Sequence, residues 1–192
     1  LINTDGLGVQ GYLYNAVGQP SGIRGTINLS NLTSAPQMTS SINIGANVSA
    51  DSSITAFDIA NPGNTSAYST SMTVYDSLGR AHNMILYFNK VQEYDATVPQ
   101  NSQWEWHAVV DGAEVNDDDP LNPPTPTAGM PWETGFGTLE FNGNGQLIAQ
   151  TGSATFNFTG GATQGQTIMF DFGDDIASGG TGLGGTTQFR SE

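Results

Sequence analysis

The sequence predicts an all-β fold, an antiparallel β-barrel or sandwich, and three observations carry that prediction. Gly, Thr, Ser and Asn are abundant while 11% of the 192 residues are charged. No window sustains an apolar period of 3.6 residues, and several short runs alternate apolar and polar residues with a period of two. An apolar fraction of 36% suffices for a single core at this length. A long acidic, Pro-rich loop and Gly-rich terminal linkers complete the expected architecture.

Taken in order, the expected strands are Gly22 to Leu29, Gln37 to Val48, Ser69 to Tyr75, His82 to Val91, Gln103 to Asp111, Gly137 to Asn142, Gln146 to Ala149, Ala154 to Phe158 and Thr167 to Phe172. Ile42, Ile44, Ala46 and Val48 share one face of the second, and Ala154, Phe156 and Phe158 one face of the eighth. Two segments break the pattern. From Asp111 to Trp132, Asp117, Asp118 and Asp119 precede Pro120, Pro123, Pro124 and Pro126, which reads as an exposed insertion. From Gly173 onward the glycines stand too close together for a regular element, which reads as a linker.

The most informative stretch is Ser71 to Val91. Met72 and Val74 lie on one side of a strand, Asp76-Ser77-Leu78-Gly79 follows with the residues of a type I turn, and Gly79 is expected at positive φ. On the return strand His82, Met84, Leu86 and Phe88 alternate on one face and Ile85, Tyr87 and Val91 occupy the other. Thr73, Val74, Tyr75, Asp76, Ser77, Leu78, Gly79 and His82 closely resemble, in register, the Thr-Val-Tyr-Asp-Ser-Leu-Gly-x-x-His hairpin of the bacterial flagellar hook protein family. Gln10-Gly11-Tyr12 resembles that family's exit from its inner domain, Ala35-Pro36-Gln37-Met38-Thr39 its entry to the outer domain, and Thr187-Gln188-Phe189 its return. The length and acidity of the Asp111 to Trp132 segment depart from the family pattern.

The resemblance implies an organisation into residues 1–34 as inner-domain edge and linker, 35–175 as an outer β domain, and 176–192 as the return linker. It also implies a function: a non-enzymatic structural subunit contributing the outer layer of a self-assembling, flexible tube between basal body and filament. The implied partners are further copies of the full-length protein in a helical homopolymer and other flagellar axial and cap proteins. The implied location is the extracellular flagellum, reached by type III export without a cleaved signal peptide. A flagellar distal rod protein is the related alternative, ranked lower because rod proteins usually lack so large an outer insertion. With Leu1 at its start and Gln-Phe-Arg-Ser-Glu at its end, the chain is expected to be an excised fragment.

Composition narrows the partners. Eighteen acidic against 4 basic residues give a formal net charge of −14, with no stripe of Lys or Arg to neutralise phosphates, which disfavours nucleic acid and anionic membrane surfaces. No apolar run approaches a membrane span, so no membrane insertion is expected. Zero cysteines exclude disulfides, thiolate metal sites and a Cys nucleophile.

No motif of catalysis or cofactor binding stands in its proper context. Gly6-Leu7-Gly8-Val9-Gln10-Gly11 fits Gly-x-Gly-x-x-Gly but neither follows a buried strand nor opens a helix. Asp171-Phe172-Gly173 matches a kinase motif without the lysine or catalytic loop that give it meaning. His82 and His107, the only histidines, both fall in expected strands, where a structural role outweighs triad or zinc chemistry. Asp117, Asp118 and Asp119, with Asp111 and Glu114, form a weak calcium candidate, but the spacing is not that of a calcium loop and a solvated charge run is preferred. The Asn-x-Ser/Thr sequons at Asn28, Asn31, Asn47, Asn64 and Asn157 are expected by chance in so Asn-, Ser- and Thr-rich a chain. One rival from another class is a carbohydrate-binding sandwich with Trp104, Trp106, Trp132, Tyr87 and Tyr94 as a stacking platform. Core packing of Trp104 and Trp106 against Leu86 and Phe88 is the preferred reading.

Overall fold

A computed structural model describes residues 2–4, 6–15, 17–27, 34–98, 100–116 and 125–190. The chain divides into two compact units, Leu1–Ala35 and Pro36–Glu192.

The first unit is a two-stranded antiparallel ribbon of β1 (Gln10–Tyr14) and β2 (Pro20–Thr26). Gly11 faces Gly25 and Tyr12 faces Arg24 across it. A Cβ at Gly25 would lie 2.8 Å from Leu13 Cδ1 and one at Gly11 2.8 Å from Ile27 Cδ1, both ends of flexible side chains that can turn aside. The Arg24 guanidinium sits 5.3 Å from the Tyr12 ring centroid. β1 was not among the expected strands: five residues give a weak local signal, and pairing with β2 makes them a strand.

In the second unit β3 (Ser41–Asn43), β5 (Tyr68–Tyr75), β6 (Ala81–Gln92), β7 (Ser102–Asp111), β8 (Pro131–Phe141), β9 (Leu147–Gln150), β10 (Ser153–Phe156) and β11 (Gln166–Asp171) build one curled eight-stranded sheet in the order β3-β11-β10-β8-β7-β6-β5, with β9 on β8. β4 (Asn47–Ser49) and β12 (Thr187–Phe189) form a small sheet of their own. The all-β expectation holds, in the form of a half-barrel. Period-two alternation puts Met84, Leu86 and Phe88 of β6, Trp104, Trp106 and Ala108 of β7, and Leu139 and Phe141 of β8 into one core. Val48 of β4, Leu147 of β9, and Phe158 and Phe172 from the segments after β10 and β11 close it.

Not every pairing is antiparallel: β3 runs parallel to β11 and β4 parallel to β12. The expected single strand Gln37 to Val48 is two three-residue strands, because the chain changes partner between them. Ile44 N–H still donates to Asp171 O, whereas Asn47 and Val48 are in register with Thr187 and Gln188.

The Asp111 to Trp132 segment is not wholly an exposed insertion. β8 begins at Pro131, opposite Asp111, so the ladder with β7 consumes its last residues. A 3-10 turn occupies Gly112–Glu114, and Val115 is buried in a bridge to Phe158. Asp111 fastens both ends, its carboxylate accepting N–H bonds from Ala113 (2.7 Å) and Gly129 (3.1 Å). Asp117, Asp118, Asp119 and the residues to Pro124 lie outside the described residues, as do the sequons at Asn28 and Asn31.

The glycine-rich tail, expected to be a linker without a regular element, is packed. Asp174 accepts N–H bonds from Thr181 (2.9 Å) and Gly184 (2.7 Å), and Asp175 from Ser178 (2.7 Å) and the Gln150 amide (3.0 Å). Beyond this loop Thr186 and Gln188 are buried, and the Gln188 amide donates to Ser102 Oγ. The expectation failed because glycine spacing registers backbone freedom, not the two aspartates that use it.

Candidate functional site

The hairpin Thr73 to His82 is the natural candidate. Thr73, Val74 and Tyr75 end β5 and pair with Asn83, His82 and Ala81 at the start of β6, with Val74 fully buried. Asp76 is fully buried too, and its Oδ1 accepts the N–H groups of Leu78 (2.8 Å) and Arg80 (2.9 Å). Gly79 closes the turn at φ +78° and donates to Asp76 O. Ser77 Oγ accepts from Thr163 N–H at 2.8 Å, while Leu78 is about half exposed.

His82 sits behind the turn with both ring nitrogens engaged: Nε2 lies 3.3 Å from Asp76 Oδ2 and Nδ1 3.1 Å from Glu114 Oε2. Its ring stacks on Phe158 at 3.9 Å between centroids. The neutral ring can donate to one of these carboxylates and the doubly protonated ring to both. Burial by itself would raise the Asp76 carboxyl, but hydrogen bonds from Arg80 N–H, His82 and Leu78 N–H outweigh it and hold the group below the ordinary carboxylate value. The arrangement joins the β5–β6 turn, the 3-10 turn after β7 and the segment after β10. Arg80 adds a bond to Gly160 O on the same side. Glu114 and Phe158 had no local signal in the sequence, being 32 and 76 residues from His82.

The other candidates disperse. His107 faces away from Trp104 and Trp106, lies 2.6 Å from Glu133 and 3.7 Å from Glu105, and stacks on Phe57 at 3.8 Å. Nothing brings it to His82. Trp104 and Trp106 are fully buried in the core, so they offer no sugar platform, and Trp106 Nε1 donates to Thr151 O. Tyr87 and Trp132 are half-buried and Tyr94 is 47% exposed. Gly11 enters a strand and not a helix. Asp171 ends β11 and caps Gly173 N–H, while Phe172 is core. Asn47 and Asn157 use their side-chain oxygens to accept N–H bonds from Phe189 and Gly165. Among the described residues no group of three His, Asp or Glu side chains is placed to hold a metal ion, and no helix is long and apolar enough to cross a membrane.

A curled sheet in which His82, Asp76 and Asp175 fasten turns to neighbouring segments, and His107 is held between strand carboxylates, defines a structural β domain. Its signature hairpin is part of that fastening. Residues 18–192 match the family described as flagellar basal body protein FlaE D2 domain, and the chain belongs to this family, a structural domain of the flagellar hook. No curated protein sequence matches the chain.

Proposed function

We propose that this chain is the outer domain of a flagellar hook subunit that self-assembles into the flexible tube joining basal body to filament. The match over residues 18–192 is the observation that carries the reading. In it, residues 1–34 are the edge of an inner domain and residues 35–189, the packed tail included, form the outer β domain. The signature residues Thr73 to Gly79 and His82 act by holding the turn rigid. A heterologous, non-closing contact between copies generates a helical polymer, and a surface with few ion pairs can exchange neighbours at low cost as the hook rotates. Export through the flagellar secretion apparatus without a cleaved leader suits a chain free of cysteine.

An antibody raised against Pro36–Arg190 tests the outer placement. Immunogold labelling of intact hooks along their length is the expected result. Labelling that appears only after hooks are dissociated would place the domain inside the wall and overturn the reading.

A further inference from the structure

Tyr94, Asp95, Ala96, Gln100 and Asn101 of the β6–β7 connection and Asn142, Gly143 and Asn144 of the β8–β9 turn face one another across an open cleft of about 590 Å³. Gln100 and Asn101 line it and also line an adjoining lobe of about 350 Å³. These volumes fall in the range of small-molecule sites. Both rims are fixed by internal hydrogen bonds. Asn142 Oδ1 accepts from the N–H groups of Asn144 (2.9 Å) and Gln146 (3.1 Å), and Asp95 Oδ1 from Thr97 N–H (2.8 Å). The Tyr94 ring rests on Gly143, where a Cβ would lie 2.6 Å from its Cζ, so glycine at 143 is what lets the ring settle on the turn. Tyr94 nevertheless stays 47% exposed.

The lining selects a ligand class. Among the described residues neither lobe has a lysine or arginine, while Asp95 lines one and Glu140 the other, so phosphates and other anions are repelled. Among the described residues Val98 and Ala96 are the only aliphatic side chains of the lining, too little for a lipid or drug-like apolar body. What dominates is amide. The side chains of Gln103 and Asn144 make no hydrogen bond within the described residues, and Gln100 uses its Nε2 on Glu93 O while leaving Oε1. An amide presents donors and an acceptor together, as a sugar hydroxyl presents both, and an aromatic ring offers its face to the apolar side of a pyranose. We infer that this cleft binds a neutral oligosaccharide, with Tyr94 as the stacking platform and Gln103, Asn144 and Gln100 Oε1 as hydroxyl partners, spanning two lobes and hence two or more sugar units. This platform is distinct from the tryptophans, which are in the core.

The test is a titration of the whole chain with cellobiose, maltose and N,N′-diacetylchitobiose, followed by amide NMR shifts. At least one sugar should bind with Kd of about 1 mM or tighter and move resonances of residues 92–103 and 140–146. Tyr94→Ala should weaken it about tenfold or more, Tyr94→Phe should keep it within about threefold, and Gln103→Ala should weaken it with an unchanged thermal midpoint. No shift with any of the three sugars, or affinity unchanged in Tyr94→Ala, would overturn the assignment. Tighter binding of inorganic phosphate than of every sugar would overturn its restriction to neutral ligands.

Discussion

Single residues set the geometry of the signature hairpin. Gly79 has φ +78°, and a Cβ there would also meet Pro36 Cβ at 3.0 Å, so Gly79→Val combines backbone strain with a steric contact. It is expected to cost about 1–2 kcal/mol, read as a lower urea midpoint. A midpoint equal to that of the parent would refute this account of the turn. Asp76 is the more exacting position, because Asp76→Ala removes a fully buried carboxylate and strips acceptors from Leu78 N–H, Arg80 N–H and His82. A loss of about 2 kcal/mol or more is expected. Its pH signature has a definite sign. The folded-state carboxyl lies below the ordinary value of about 3.9, so its contribution is present above that pH and fades as pH falls through the folded value. Urea midpoints should therefore hold from pH 7 to about 5 and fall below about 4, less steeply in Asp76→Asn than in the parent. The Asp76 turn was legible because Asp-x-x-Gly is local chemistry. Its closure by Glu114 and Phe158 was not, since only the curl of the sheet brings three distant segments to one ring.

At the scale of elements, strands with strong alternation were read within a residue or two: β5, β6 and β7 all begin one residue before the expected position. β8 was read six residues short. Its first half, Pro131 to Phe136, carries a proline and no clean alternation, and it is a strand because β7 is long enough to pair with it. The hairpin end so formed is tight. A Cβ at Gly112 would lie 2.5 Å from Thr127 N, a backbone atom that cannot swing aside. Gly112→Ala should thus lower the thermal midpoint by several degrees, about 4 °C or more for a domain of this size if the cost exceeds 2 kcal/mol. A midpoint unchanged by that substitution would mean the loop ends are free to part. The Gly173–Gly185 loop offers a separate check. Hydrogen bonds from Thr181 N–H and Oγ1 hold the Asp174 carboxyl below its ordinary value. Asp174→Ala should speed amide exchange at Thr181 and Gly184 while leaving Leu86 and Phe88 protected, since those lie in β6, paired on both sides by β5 and β7.

At the scale of the whole molecule, electrostatics governs association. With a formal net charge of −14, isolated copies repel at low ionic strength, and the repulsion is screened as the Debye length falls from about 10 Å at 0.1 M salt to about 3 Å at 1 M. Sedimentation across that range should show a monomer at low salt and at most weak, rapidly reversible association at high salt. A tight closed oligomer at 0.1 M would make this chain a self-sufficient assembly unit and contradict the non-closing contact proposed between copies.

By itself the sequence determined the all-β class, the main strands of the sheet, the Asp76–Gly79 turn and the burial of one face of β6. Each follows from period-two alternation or from turn chemistry within four residues. Tertiary structure alone decided the rest: the split of residues 37–48 between two parallel partners, the packing of the tail, the clamp on His82, and the cleft under Tyr94. Each of these depends on which distant segments a curled sheet brings into contact, and side-chain periodicity records only the face of a strand, not its neighbour.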